Sequence, residues 1–315
     1  MSNYKIIDGH CDTLTLMADN IVDLSNTYNH ISIEKLKKGN VSIQFFAVWL
    51  DPKDRFISCF ENGLRIIDCY YEMLDRYDNI FSPIFTFKDV FTSLKNEKIG
   101  CILAIEGGDI LDGNLENLNK LYKLGVRVMT LTWNYANEIS SGILDTSSKD
   151  NGLTTFGKKV IQNMNDLGMI IDVSHISYKG FWDVCEFSNK PIIASHSNAR
   201  TICNNIRNLD DKQLKSIAEK EGIVGINFYP PFLSDSGNAH ITDIVRHIEY
   251  IAALIGIDYI GFGSDFDGVD RLPNGVYGSE SFLQIIEELL KLNYKEEYIS
   301  KICNGNMLRI FKSVL

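Results

Sequence analysis

Eight near-continuous apolar runs, separated by stretches of helical periodicity, constrain this chain more than any other feature of its sequence. The runs cover residues 5–10, 41–50, 100–106, 126–133, 169–174, 191–195, 222–228 and 259–264. Strands with one wet face alternate apolar and polar residues, whereas strands covered on both faces are apolar throughout. The runs therefore predict a parallel sheet sheathed by helices. Between them, Ile57, Phe60, Leu64, Ile67 and Leu74 mark one helix stripe. Leu115, Leu118, Leu121 and Leu124 mark a second, closed by Gly125; Phe156, Val160, Met164 and Leu167 mark a third, stopped by Gly168. Asp210, with Gln213 three residues on, predicts a capping box for a helix over 211–220. Residues 242–255 and 280–292 also carry helical patterns. Repeated strand–helix units of this kind predict an α/β fold, a TIM-like (β/α)8 barrel filling 1–315 as a single domain. A doubly wound open sheet is the alternative; its dinucleotide-binding form is disfavoured because no GxGxxG follows the first run.

The chain has 31 Lys and Arg against 41 Asp and Glu, a formal charge of −10. That balance lacks the basic footprint of a nucleic-acid binder and suits an anionic membrane surface no better. Seven cysteines, at 11, 59, 69, 101, 185, 203 and 303, form no CxxC pair, so neither a disulfide framework nor a Cys-rich zinc site is expected. No signal peptide is legible, and apolar stretches such as 41–50 and 250–257 are too short to span a bilayer. The expectation is a cytoplasmic enzyme with reduced thiols.

The polar residues that close the apolar runs carry the functional signal. The first run ends Asp8-Gly9-His10-Cys11-Asp12, and side-chain alternation puts His10 and Asp12 on one face with Cys11 on the other. Others end at Glu106-Gly107-Gly108, Asp172-Val173-Ser174-His175, Ser195-His196-Ser197 and Ser264-Asp265-Phe266-Asp267-Gly268. Taken singly, each His or Asp is more often a hydrogen-bonded structural residue than a ligand, and Glu106 is as readily a helix cap or loop carboxylate. Together, three of the six histidines and three carboxylates close strands, and in a barrel those ends converge on one rim. Burying such a cluster is costly without a cation. Imidazole and carboxylate are zinc's usual ligands, and two metals sharing a carboxylate is a known hydrolytic arrangement. His30, His240 and His247 fall in loop or helix contexts and are given no role.

Further along stand Leu-Thr-Trp-Asn at 131–134, Arg-Asn-Leu-Asp-Asp at 207–211, Ile-Asn-Phe-Tyr at 226–229 and Gly305-Asn306 with Arg309. With the strand-end motifs, in this order and spacing, the chain resembles the membrane (renal) dipeptidase family of zinc metallopeptidases over essentially its whole length. The resemblance implies a metallo-dipeptidase with two zinc ions per chain and a hydroxide shared between them as nucleophile. His10 and Asp12 match the ligands of one zinc, His175 and His196 those of the other, and Glu106 the bridging carboxylate. Asp265 matches the acid that shuttles a proton. Arg207 matches the contact to the substrate carboxylate, a surface Arg paired with Asp210 or Asp211 being the alternative. Tyr229 lies in a substrate-lining segment. By analogy a homodimer is expected.

Two departures stand out. Cys11 replaces the family's usual Asn, with little effect expected because it should face away. Trp133 replaces a His that, in the animal enzymes, approaches the scissile carbonyl. Support for the oxyanion is then left to zinc alone, Trp133, Asn134 or Asn137. The animal enzymes are lipid-anchored; neither a signal peptide nor a hydrophobic C-terminal tail of that kind is legible here. Two other readings compete: a related metal hydrolase acting on lactams or N-acyl amino acids, and a non-catalytic metal-bound barrel. Manganese or cobalt also suits such ligands.

Overall fold

A computed structural model describes residues 4–54, 58–145 and 150–315. Ile57 of the first helix stripe lies outside them. Among the described residues there are nine strands: β1 (Ile6–Asp8), β2 (Val41–Trp49), β3 (Phe81–Pro83), β4 (Ile99–Glu106), β5 (Val126–Thr130), β6 (Ile170–Asp172), β7 (Ile192–Ala194), β8 (Ile223–Ile226) and β9 (Ile260–Phe262). Their order is β2-β1-β9-β8-β7-β6-β5-β4-β3, and β2 also pairs with β4. Every pairing with a described register is parallel. Eight strands thus form the ring of a TIM-like (β/α)8 fold, and β3 adds alongside β4. All eight expected strands are there, mostly trimmed by a residue or more at their ends. The added β3 was not expected, because three residues ending in proline make neither an apolar run nor an alternation.

The chain forms two compact units, Met1–Phe45 with Ala194–Ile310, and Phe46–Ile193 with Phe311–Leu315. In the first unit, register aligns Asp8 and Ile226 with Phe262. Phe228, Phe262, Phe266 and Phe282 pack ring against ring beside these strands, at centroid distances of 5.1–6.2 Å. The helix Asp211–Glu219 starts with the expected capping box: Asp210 Oδ1 accepts from Gln213 N and Gln213 Oε1 accepts from Asp210 N. Such a cap stabilises a helix by about 1 kcal/mol. Asn306 Nδ2 donates to the carbonyls of Ile257 and Ile260, and Arg309 donates to those of Gly222 and Asp258. These two residues tie the C-terminal helix to the amino ends of β8 and β9, the end of a barrel that serves stability.

In the second unit, β4 is buried along all eight residues and β5 along all five, as strands covered on both faces should be. Glu106 pairs with Thr130 and Thr130 with Asp172, so their ends are level. The helix Thr155–Leu167 buries Val160, Ile161 and Met164, is capped by Thr154, and stops at Gly168 in the left-handed region. Arg127, at the amino end of β5, is buried over the Tyr122 ring at 4.0 Å and donates to the carbonyls of Phe85, Tyr122 and Val126.

One close approach sets the interior of the first unit. A Cβ on Gly225 would lie 1.9 Å from the Ser195 carbonyl oxygen and one on Gly263 1.7 Å from it, whereas one on Gly261 would meet nothing nearer than 3.8 Å. Gly225→Ala is therefore expected to destabilise the protein by about 1–3 kcal/mol through overpacking against backbone, and Gly261→Ala to cost clearly less. Denaturant midpoints of the two variants check this; equal midpoints would remove the close approach as a constraint.

Candidate metal centre

In the first unit, β1 runs out into His10 and Asp12, both buried. Between them Cys11 turns away: its thiol donates to the Phe45 carbonyl and is fully buried. Asp12 N donates to Phe266 O, which ties this segment to the loop after β9. His10 Nε2 lies 3.4 Å from Asp12 Oδ2 and 4.0 Å from Asp265 Oδ1. One ligand atom from each of His10, Asp12 and Asp265 falls within 4.8 Å of the others. The His196 ring, just past β7, stands 3.9 Å from that of His10. A Cβ on Gly268 would come within 2.0 Å of Asp12 Oδ2 and 2.7 Å of Asp265 Oδ1, so only glycine lets the loop backbone close over both carboxylates.

That loop is held in an unusual conformation. Asp265 and Asp267 have φ of 65° and 63°, a left-handed geometry that costs about 1–3 kcal/mol in a non-glycine residue and gathers at functional sites. Its restraints come from far along the chain. Asn227 Nδ2 donates to Asp265 Oδ2 at 2.8 Å, and Asn227 is itself held by Asn198. Thr13 Oγ1 and His30 N donate to the Asp267 carboxylate, and Asp267 N donates to His30 Nδ1. Asn227, Asn198, Thr13 and His30 escaped sequence reasoning, because hydrogen bonds spanning up to 254 residues leave no local pattern.

Arg207 is 6% exposed rather than a surface residue. Its guanidinium donates to the His196 carbonyl and lies 5.4 Å from the Phe232 ring. Asp210 is the helix cap, and Asp211 Oδ1 accepts from Thr201 and Tyr250. Tyr229 is half-buried against Phe232. Burial, followed by the nearby carboxylates of Asp270 and Asp265, raises its hydroxyl above the usual tyrosine range. His247 accepts from Ala199 N at Nδ1 and meets the Leu233 carbonyl at Nε2. Burial pushes its pKa down to about 4, and this neutral ring braces the turn after His196. His240 opens the helix Ile241–Ile255.

In the second unit, Glu106 closes β4 and the chain turns away at Gly107, with φ of 101°. His175, three residues past β6, has φ of 66°. Its Nδ1 meets Asn134 Oδ1 at 2.8 Å, and its Nε2 lies 3.0 Å from Glu106 Oε1. An amide oxygen only accepts, so Nδ1 donates to it, and Nε2 faces the carboxylate. An imidazole nitrogen and a carboxylate oxygen are both ligand types that zinc takes. The Nδ1 of His196 is likewise engaged, by Ser195 Oγ at 2.7 Å. Fixing one ring nitrogen so that the other meets a metal is how ligating histidines are commonly held. The donor set therefore fits divalent metal. Asn137 is fully engaged in its turn: Nδ2 donates to Leu131 O, and Oδ1 accepts from Ile139 N and Ser140 N. Trp133 stacks near His175 at 6.1 Å.

The family model described as membrane dipeptidase (peptidase family M19) matches residues 1–315. The chain belongs to the membrane dipeptidase family. Human dipeptidase 3 is 31% identical over 329 residues, an alignment covering 100% of this chain and 66% of that protein. The chain thus spans just under two thirds of the length of the curated relatives it matches. A metallo peptidase from Rhodobacter sphaeroides, solved with a phosphinate mimic of the dipeptide L-Ala-D-Ala, superposes with a TM-score of 0.93 at 24% identity and covers both chains fully. A solved M19 dipeptidase, dipeptidase AC, gives 0.92 at 24% identity over 99% of each chain. At these identities the solved structures establish the TIM-like fold.

Asn134→Ala and Ser195→Ala remove the partners of the His175 and His196 Nδ1 atoms. Each is expected to weaken zinc binding by about 10–100-fold with far-UV circular dichroism unchanged, read by competition with a chromogenic chelator. Unchanged affinity would mean that packing alone orients the rings.

Proposed function

We propose that this chain is a metal-dependent dipeptidase that holds two zinc ions, one on His10 and Asp12, one on His175 and His196, with Glu106 shared. The observation that carries this reading is the gathering of buried imidazole and carboxylate groups, His175 Nε2 against Glu106 and His10 with Asp12 and Asp265, in a chain of the membrane dipeptidase family. When bound, such ions lower the pKa of water to ~7 and polarise a peptide carbonyl. The remaining work falls to the chain's own side chains. Asp265, oriented by the Asn227 amide, takes the proton that water gives up and returns it to the departing amine, which leaves as the C–N bond breaks. Arg207 pairs with the free carboxylate of a dipeptide through its forked guanidinium. A substrate with a carboxylate one residue from the scissile bond fits this arrangement, and a protein chain does not offer one there. Tyr229, Trp133 and Asn134 complete the lining; Asn134 does so with its amide nitrogen, since its oxygen is engaged by His175.

Elemental analysis alongside kinetics tests the assignment. Zinc-reconstituted protein should carry two ions and hydrolyse dipeptides; one ion, or no hydrolysis, would overturn it. Asp265→Asn should keep both ions and lose about 10²–10⁴-fold in kcat, the usual range for an acid–base residue, while Glu106→Gln should lose metal. A site emptied by Asp265→Asn would make Asp265 a ligand.

Arg207→Lys keeps the charge but not the fork. It should lower kcat/KM for a dipeptide and add little to the already poor turnover of the corresponding dipeptide amide. Equal proportional losses on both substrates would show that Arg207 does not read the carboxylate.

A further inference from the structure

Three aromatic side chains, one of them stacked on His175, form a group that the metal chemistry makes no use of. Trp49 is the last residue of β2, and Trp133 lies three residues past β5. Their rings meet edge to face at 5.4 Å, and Trp133 meets Tyr135 at 5.8 Å. Trp133 also lies within 29° of parallel to the His175 ring, and a Cβ on Gly107 would sit 3.7 Å from its Cβ. The wall thus abuts both the proposed ligand His175 and the turn that carries Glu106. It is not core: Tyr135 is 47% exposed, and both tryptophans are half-buried.

Large aromatic surface left open in a group is informative where a single exposed apolar residue is not. Pockets for small molecules are lined mainly by such rings, with few polar groups to set orientation. An indole offers one N–H donor and no acceptor, so this wall gives a charged or small side chain little in exchange for displaced water. A large apolar side chain gains contact over the ring faces and edges.

We propose that Trp49, Trp133 and Tyr135 form a side-chain subsite that selects dipeptides carrying an aromatic or large aliphatic residue. The inference rests on the dipeptidase reading above and adds the class of substrate. Specificity here comes from the wall, separately from the groups that bind metal or move protons.

The test uses zinc-loaded protein and a panel of Ala-Ala, Phe-Ala, Ala-Phe, Leu-Ala and Asp-Ala. Wild type should favour at least one Phe-containing dipeptide over Ala-Ala by about tenfold or more in kcat/KM, the scale on which apolar pockets discriminate. Trp133→Ala should reduce that ratio toward one, and Trp133→Phe, which keeps an apolar ring, should recover most of it. Tryptophan fluorescence supplies a readout apart from turnover. A phosphinate analogue of the preferred Phe dipeptide should perturb wild-type emission and lose clearly more affinity on Trp133→Ala than the Ala-Ala analogue does. Hydrolysis of the whole panel at similar kcat/KM, or equal losses on every substrate in Trp133→Ala, would overturn the subsite and leave the dipeptidase reading standing. No hydrolysis of any dipeptide would overturn that reading and the subsite with it.

Discussion

The carbonyl oxygen of Ser195 is the point on which the first unit of this structure depends. Gly225 and Gly263 reach it so closely that a Cβ on either would overlap it, and Gly9 approaches to where a Cβ would stand 3.3 Å away. Each of these residues sits just below a functional one. Gly9 precedes His10, Ser195 precedes His196, Gly225 lies two before Asn227, and Gly263 lies two before Asp265. Close backbone approach at one level of the strands therefore dictates how near the next level's side chains stand, and the His10 and His196 rings are 3.9 Å apart as a result. Interiors packed at crystal-like density transmit such a constraint with little loss.

Above that level, the site is held by hydrogen bonds that restrict direction more than position. Asn134 and Ser195 hold the Nδ1 atoms of His175 and His196. Asn227 aims the Asp265 carboxylate, and Thr13 and His30 clasp Asp267. The left-handed residues His175, Asp265 and Asp267 persist because these bonds, with Gly268, leave the loops no better alternative. Strain at the site and restraint around it are one feature: a loop that must present a carboxylate inward cannot also relax its backbone.

This layering explains what was legible in the sequence. Strands declare themselves by burial on both faces, and helices by stripes and caps such as Thr154, Gly168 and the Asp210–Gln213 pair. Those are local signals, and the elements they mark are present. His10, Asp12, Glu106, His175, His196 and Asp265 were legible because polar residues closing apolar runs are conspicuous. The residues that aim them were not. Asn227 looks like a polar break in a strand, Ser195 like strand padding, and His30 like loop; their roles arise only from tertiary geometry, in the case of His30 and Asp267 across 237 residues. Asn134 stood out as a substrate contact, yet its oxygen serves His175 first.

The same layering separates parts free to vary from parts that are not. A change at Gly225, Gly263 or Gly268 meets backbone or a site carboxylate within 2.0 Å, so it disturbs metal and acid together. A change at Trp133 or Tyr135 meets a partly open surface and alters only what lies against it. A chain built this way can keep the fold at 24% identity to its solved neighbours while resetting the subsite around the metal.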